Sequence, residues 1–139
     1  MKKIKDAMSR EVQIIGPDDT IQEAARRMKA GNFGMLPVSE NDRMIGAISD
    51  RDIAIRAVAD GKESTTKVRD VMSEGIIWTY EEDSVENAAK RMGDNQVRRL
   101  PVVNSDKRLV GIVALGDFAV EARDIEAAGE ALSKISEPG

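Results

Sequence analysis

Gly46-Ala47-Ile48-Ser49-Asp50-Arg51-Asp52-Ile53 changes character halfway along its length. With Met44 and Ile45 it begins as a short apolar run, which reads as a strand. From Ile53 the apolar residues Ile53, Ile55, Ala57 and Val58 follow a helical spacing. A hydroxyl (Ser49) and a carboxylate (Asp52) stand at the junction. Free backbone N–H groups at a helix start favour anions. A carboxylate three residues after a hydroxyl adds a bidentate acceptor for a sugar diol. Together these suit a ribose phosphate. The same residues also suit a plain helix cap at Ser49 or Asp50, and the stretch alone leaves both readings open.

Working outward, the junction turns out to be half of an internal repeat. Asp6-Ala7-Met8-Ser9 returns 64 residues later as Asp70-Val71-Met72-Ser73. At the same offset Thr20 becomes Ser84, Ala24-Ala25 becomes Ala88-Ala89, and Met35-Leu36-Pro37-Val38 becomes Arg99-Leu100-Pro101-Val102. One residue then enters the second polar turn. After it, Gly46-Ala47-Ile48 matches Gly111-Ile112-Val113 and Asp52 matches Asp117 at offset 65.

Each repeat reads as β-α-β-β-α, which makes the fold class α+β (mixed α/β). Val12–Ile15 and Ile76–Thr79 are expected as short strands. Thr20-Ile21-Gln22-Glu23 has the form of a capping box. The stripe Ile21, Ala24, Ala25, Met28 and its copy Val85, Ala88, Ala89, Met92 predict helices with one apolar face. Gly31 and Gly93 follow where C-terminal caps are expected. Strands are expected at 35–38 and 44–49, and at 99–103 and 108–114, joined by polar hairpin turns. The last helix is expected to run from Asp117 to about Ile135, before Pro138. The domain reading is a first repeat at 1–60, a linker at 61–67, a second repeat at 68–125, and a helical extension and tail at 126–139. A 60-residue repeat alone buries only a marginal core. The two pseudo-symmetric repeats are therefore expected to pack sheet to sheet, with both strand-to-helix junctions in clefts between them.

Composition narrows the chemistry. The chain has 139 residues, no Cys and no His. A disulfide framework, thiolate chemistry and a Ser-His-Asp triad are thereby excluded. A net charge of −4 and only four aromatics, Phe33, Trp78, Tyr80 and Phe118, argue against a nucleic-acid surface. No Walker-type loop is present, and no carboxylate pair stands out, so the chain does not read as an enzyme. Met8, Met28, Met44, Met72 and Met92 read as flexible core filler. No run approaches a membrane span, and Ile4-Lys5-Asp6 stands where a signal peptide needs apolar residues. The expected location is cytoplasmic.

The paired Asp-x-Met-Ser motifs, the Leu-Pro-Val strands and the Gly-hydrophobic strands leading to Asp52 and Asp117 resemble a tandem pair of cystathionine-β-synthase (CBS) domains, a Bateman module. The resemblance covers about residues 4–125 and extends to small stand-alone bacterial members. It implies an adenosine-containing regulatory ligand of the AMP, ADP or ATP class, no required cofactor, and association into a homodimer. It also leaves room for an unknown protein effector. Some similar hypoxic-response proteins carry metal on His and Cys. This chain has neither, so no metal site is expected.

The family motif Gly-hydrophobic-x-Ser/Thr-x-x-Asp is matched in full by Gly46, Ser49 and Asp52. By resemblance Asp52 takes both ribose hydroxyls and Ser49 the phosphate. In the second repeat Gly111 and Asp117 remain, Ala114 replaces the hydroxyl, and Gly116 stands where Arg51 stands in the first. The two sites are therefore expected to be unequal, with Asp52 the stronger. Relatives often hold Arg or His near the phosphates two and three residues before the proline of the core strand. That makes Arg98 the first choice for phosphate, then Arg99, then Arg51, with Arg98 and Arg99 as solvated edge charges the alternative. Ile15, Met35, Leu36 and Ile48 are candidates to wall the adenine, or are simply core. The competing function is a dimerisation or interaction scaffold that needs no ligand.

Overall fold

A computed structural model describes residues 2–120 and 125–135, with side chains for 2–118 and 130–135. The chain forms two compact units, Gln13–Ile76 and Met1–Val12 with Ile77–Gly139. These are cut differently from the sequence repeats. Each Asp-x-Met-Ser segment leaves its own repeat and completes the unit built on the other.

In the Gln13–Ile76 unit, α1 (Ile21–Gly31) leads to β1 (Met35–Glu40) and β2 (Arg43–Ser49), a two-stranded antiparallel sheet. The hairpin loop is Asn41-Asp42, both at positive φ (54° and 66°), as a two-residue loop matching strand twist requires. The helix α2 follows, an α-turn at Asp50–Asp52 that widens to π-type geometry over Ile53–Val58. The expected strand at 12–15 shrinks to one parallel bridge, Ile15 to Val38. Arg27 on α1 holds this segment by donating to the Ile14 carbonyl.

The other unit repeats the plan. It contains β3 (Thr79–Tyr80), α3 (Val85–Asp94), β4 (Arg99–Val103), β5 (Leu109–Ala114) and α4 (Leu115–Val120). Here β3 pairs parallel with β4, and β4 pairs antiparallel with β5. Arg91 donates to the Trp78 carbonyl at 2.7 Å, the counterpart of Arg27. Trp78 and Tyr80 pack edge to face, with ring centroids 4.8 Å apart. The inserted residue lengthens the β4–β5 turn, where Asn104 Oδ1 accepts from the N–H groups of Asp106 and Arg108. A further helix, α5 (Ile125–Ile135), packs on α3 and α4. The continuity of the expected last helix and its stop before Pro138 fall on residues 121–124 and 136–139, outside the described residues; α5 is described as far as Ile135.

The exchange of segments is built on apolar burial and paired backbone bonds. Val68, Val71 and Met72 join the core of Ile15, Ile21, Met28, Leu36 and Ile48. Ile4 and Ala7 join that of Val85, Met92, Leu100 and Phe118. Ala47 and Ser73 trade N–H···O bonds of 3.0 and 2.9 Å, and Ser9 and Ile112 trade two of 2.9 Å. These pairings explain the motif glycines. A Cβ on Gly46 would lie 2.6 Å from the Ser73 carbonyl oxygen, and one on Gly111 would lie 2.8 Å from that of Ser9. The stretch between the repeats is also anchored: Ile21 and Gln22 N–H, unsatisfied at the start of α1, donate to the Thr66 and Ser64 carbonyls.

Three local expectations are corrected. Thr20 Oγ1 accepts from Glu23 N at 3.1 Å, but Glu23 turns to Arg27 rather than closing the box. Gly31 and Gly93 do not occupy the left-handed positions, which fall to Asn32 (φ 56°) and Gln96 (φ 54°). The two glycines are small for steric reasons instead. A Cβ on Gly31 would land in the Phe33 ring, and one on Gly93 would lie 3.2 Å from Ala131 Cα of α5. Finally, Ala25 is exposed while Ala89 is buried, because α5 covers α3 and α1 has no such cover within its unit.

Candidate functional site

The β2–α2 junction is the most elaborated polar site in the Gln13–Ile76 unit. Ser49 ends β2 in extended conformation, paired with Met35 across the sheet. Its Oγ accepts from Asp52 N at 3.0 Å, and Asp52 Oδ2 accepts from Ser49 N at 3.0 Å. The box expected at Thr20 is thus closed here. It fixes the Asp52 carboxylate, whose side chain is 16% exposed, without using its other oxygen.

That oxygen, Oδ1, has two partners the sequence reading missed. The Ser73 hydroxyl donates to it at 3.2 Å. Arg56 Nε lies 3.9 Å from it, and Arg56 Nη1 donates to the Met72 carbonyl at 3.1 Å. A signal for Arg56 was present, since it stands four residues after Asp52 on the same helix. Ser73 belongs to a motif whose repetition was evident, but nothing local ties it to a residue 21 positions earlier.

The second junction keeps only part of this. Asp117 Oδ2 accepts from Ala114 N at 2.8 Å, the counterpart of the Ser49–Asp52 bond. Ala114 has no hydroxyl to return it, and Gly116 replaces Arg51. At offset 65 the counterpart of Arg56 is Glu121, which lies outside the described residues.

The remaining expected residues are distributed as follows. Arg51 is exposed. Arg98 and Arg99 are exposed and belong to the unit that holds Asp117. The Arg98 carbonyl accepts from Leu115 N, and Arg99 pairs with Ala114. They stand where the first repeat has Gly34 and Met35. Ile15, Leu36 and Ile48 are at most 1% exposed and sit in the core. Of the four apolar candidates, only Met35 keeps accessible surface, beside Ser49.

Comparison with known proteins places these features in context. A family model described as CBS domain matches residues 4–58 and 68–124. The CBS domain-containing protein YhcV of Bacillus subtilis is 45% identical over 136 residues, 98% of this chain and 96% of the relative. The crystal structure of Hypoxic Response Protein I with two coordinated zinc ions gives a TM-score of 0.78 at 32% identity, covering 85% of this chain and 97% of that one. The zinc is that protein's. Among the described residues here, no group of three or more potential metal ligands is clustered. The CBS domain pair of MJ0100, solved in complex with 5′-methylthioadenosine and S-adenosyl-L-methionine, gives 0.74 at 27% identity, covering 86% and 94%. No helix among the described residues is long and apolar enough to cross a membrane.

Proposed function

This chain belongs to the CBS domain family, and we propose that it is a non-catalytic regulatory module that binds an adenosine-containing ligand at the Asp52 junction. The observation that carries the reading is the Asp52 carboxylate. The capping box holds it at a fixed angle through Oδ2, while among the described residues Oδ1 is engaged by a hydroxyl and a cation that a ligand can replace. A ribose diol donates two hydrogen bonds to such a carboxylate. Its relative MJ0100 is a CBS pair with adenosyl compounds bound. Within the adenosyl class we favour AMP, ADP or ATP, because a guanidinium adjoins the carboxylate. Signalling then follows if the ligand binds two conformations unequally. The assembly that goes with this reading is a cytoplasmic homodimer, closed twofold symmetry being the commonest arrangement, acting on a protein effector.

Thermal unfolding with AMP, ADP, ATP, S-adenosylmethionine and NAD tests it. A ligand at 100 times its Kd adds about 2.7 kcal/mol, roughly 8–14 °C in a protein this size. Asp52→Asn keeps an acceptor for Ser49 N but removes the charge and one diol acceptor. It should abolish the shift while melting near the wild type without ligand. A ligand-independent interaction scaffold is the second reading, favoured by Asp52 being satisfied inside the chain. A ligand-free sample that responds to none of the five compounds decides for it.

A further inference from the structure

We infer that Arg56 is the specificity residue of the Asp52 junction, selecting phosphate-bearing ligands over neutral adenosyl compounds. The inference rests on the adenosyl reading of that junction and assigns a role to a side chain outside the family motif. Arg56 is anchored at two points. Nη1 donates to the Met72 carbonyl, and Nε faces Asp52 Oδ1 at 3.9 Å, longer than a hydrogen bond. Its side chain is 54% exposed. The guanidinium has five N–H donors, so most of its capacity is uncommitted while its position is set.

A diol arriving at Asp52 competes with the Ser73 hydroxyl for Oδ1. Once the diol takes Oδ1, the Nε–H, which is not hydrogen-bonded to that oxygen, can turn to a further acceptor. The guanidinium is then a cation within one side chain's reach of whatever hangs from the ribose. For a phosphate this is the planar, charge-assisted contact that arginine makes well. It also offsets the repulsion that the Asp52 carboxylate would exert on a second anion. For adenosine or 5′-methylthioadenosine it offers nothing. The second repeat supports the assignment from sequence. By sequence offset Glu121 corresponds to Arg56 there, an acidic residue in place of a basic one, in the same repeat that has lost the hydroxyl.

The test is calorimetric titration of adenosine and AMP into the wild type, Arg56→Gln and Arg56→Lys. The wild type is expected to bind AMP more tightly than adenosine. Arg56→Gln should weaken AMP by about tenfold or more, the size of one charge-assisted hydrogen bond, and leave adenosine within about twofold. Arg56→Lys should fall between for AMP. Equal weakening of both ligands by Arg56→Gln would make Arg56 a structural brace and overturn the assignment, as would no weakening of either. A wild type that binds neither compound overturns the adenosyl reading itself, and the role of Arg56 falls with it.

Discussion

Replacing Gly46 by alanine probes the exchange of segments on which the fold depends. The added Cβ would lie 2.6 Å from the Ser73 carbonyl oxygen and 3.3 Å from Met72 Sδ. Ordinary van der Waals contact begins at 3.4 Å, so the Ser73 backbone must retreat by about 0.8 Å. The sulfur can swing aside, but the carbonyl cannot, because it accepts from Ala47 N at 3.0 Å while Ser73 N donates back at 2.9 Å. A retreat of that size takes both bonds out of range. Giving up two backbone bonds costs about 1 kcal/mol each, and keeping them against the overlap costs about 1–3 kcal/mol of overpacking strain instead, so the loss is about 2–3 kcal/mol. At roughly 3–5 °C per kcal/mol for a chain of this length, melting should fall by about 6–15 °C.

Calorimetric melting with amide hydrogen exchange at Ala47 and Ser73 reads both parts of the effect. Gly116→Ala is the internal control. No atom of the described residues lies within 4 Å of its added Cβ, and alanine in a helix is better than glycine by up to about 1 kcal/mol. The control should therefore melt at or above the wild-type temperature. If Gly46→Ala melts within about 2 °C of the wild type with Ala47 and Ser73 still protected, the close approach of residues 70–73 to β2 is wrong.

Two further outcomes follow from the other unit. Phe118 is fully buried among Met92, Leu100 and Val113, so Phe118→Ala should cost about 3–5 kcal/mol in urea unfolding; a loss under about 1 kcal/mol would mean that the site is not filled as described. Hydrogen bonds from Lys3 and Lys5 at 2.7 and 2.9 Å hold the Glu82 carboxyl well below its usual range, at about 2. A carboxylate with a depressed folded pKa contributes stability that is present above its unfolded value near 4.5 and lost as pH falls toward 2. Melting should decline over that window, and Glu82→Gln should flatten the decline. An unchanged profile in the variant would remove Glu82 from the account.

What the sequence disclosed and what it hid divide along the range of the interactions. The hairpins, the two Ser/Thr N-caps and the site of the inserted residue are local, and each was legible in a few consecutive residues. The exchange of the Asp-x-Met-Ser segments was not. It depends on Ala47 meeting Ser73 and Ser9 meeting Ile112, pairings with no periodicity to reveal them. Gly46 and Gly111 looked like elements of a ligand motif, yet the structure gives them a steric reason of their own. Ile15, Leu36 and Ile48 could not be told from ligand-facing residues by type, and burial places them in the core. Glu23 fitted a capping box and Ser49 a plain cap, yet the closed box forms at Ser49 and Asp52. Arg27 competes for Glu23 one turn on, whereas Asp52 is too short to reach away from Ser49 N with both oxygens.

The capping and ligand readings of the Ser49–Asp52 junction are not alternatives. A cap consumes Asp52 Oδ2 and one lone pair of the Ser49 hydroxyl, and in doing so points Oδ1 at Ser73 and Arg56. The same backbone bond survives at Asp117 without the hydroxyl, so capping alone does not require Ser49. What distinguishes the two junctions in sequence is the hydroxyl, Ser49 against Ala114, and the charge four residues after the aspartate, Arg56 against Glu121. Ser73, moreover, lies in the segment that leads from the first unit's core into the second. A ligand that takes Oδ1 releases that hydroxyl, so occupancy of the Asp52 junction and the hold on residues 70–73 are linked through a single oxygen atom.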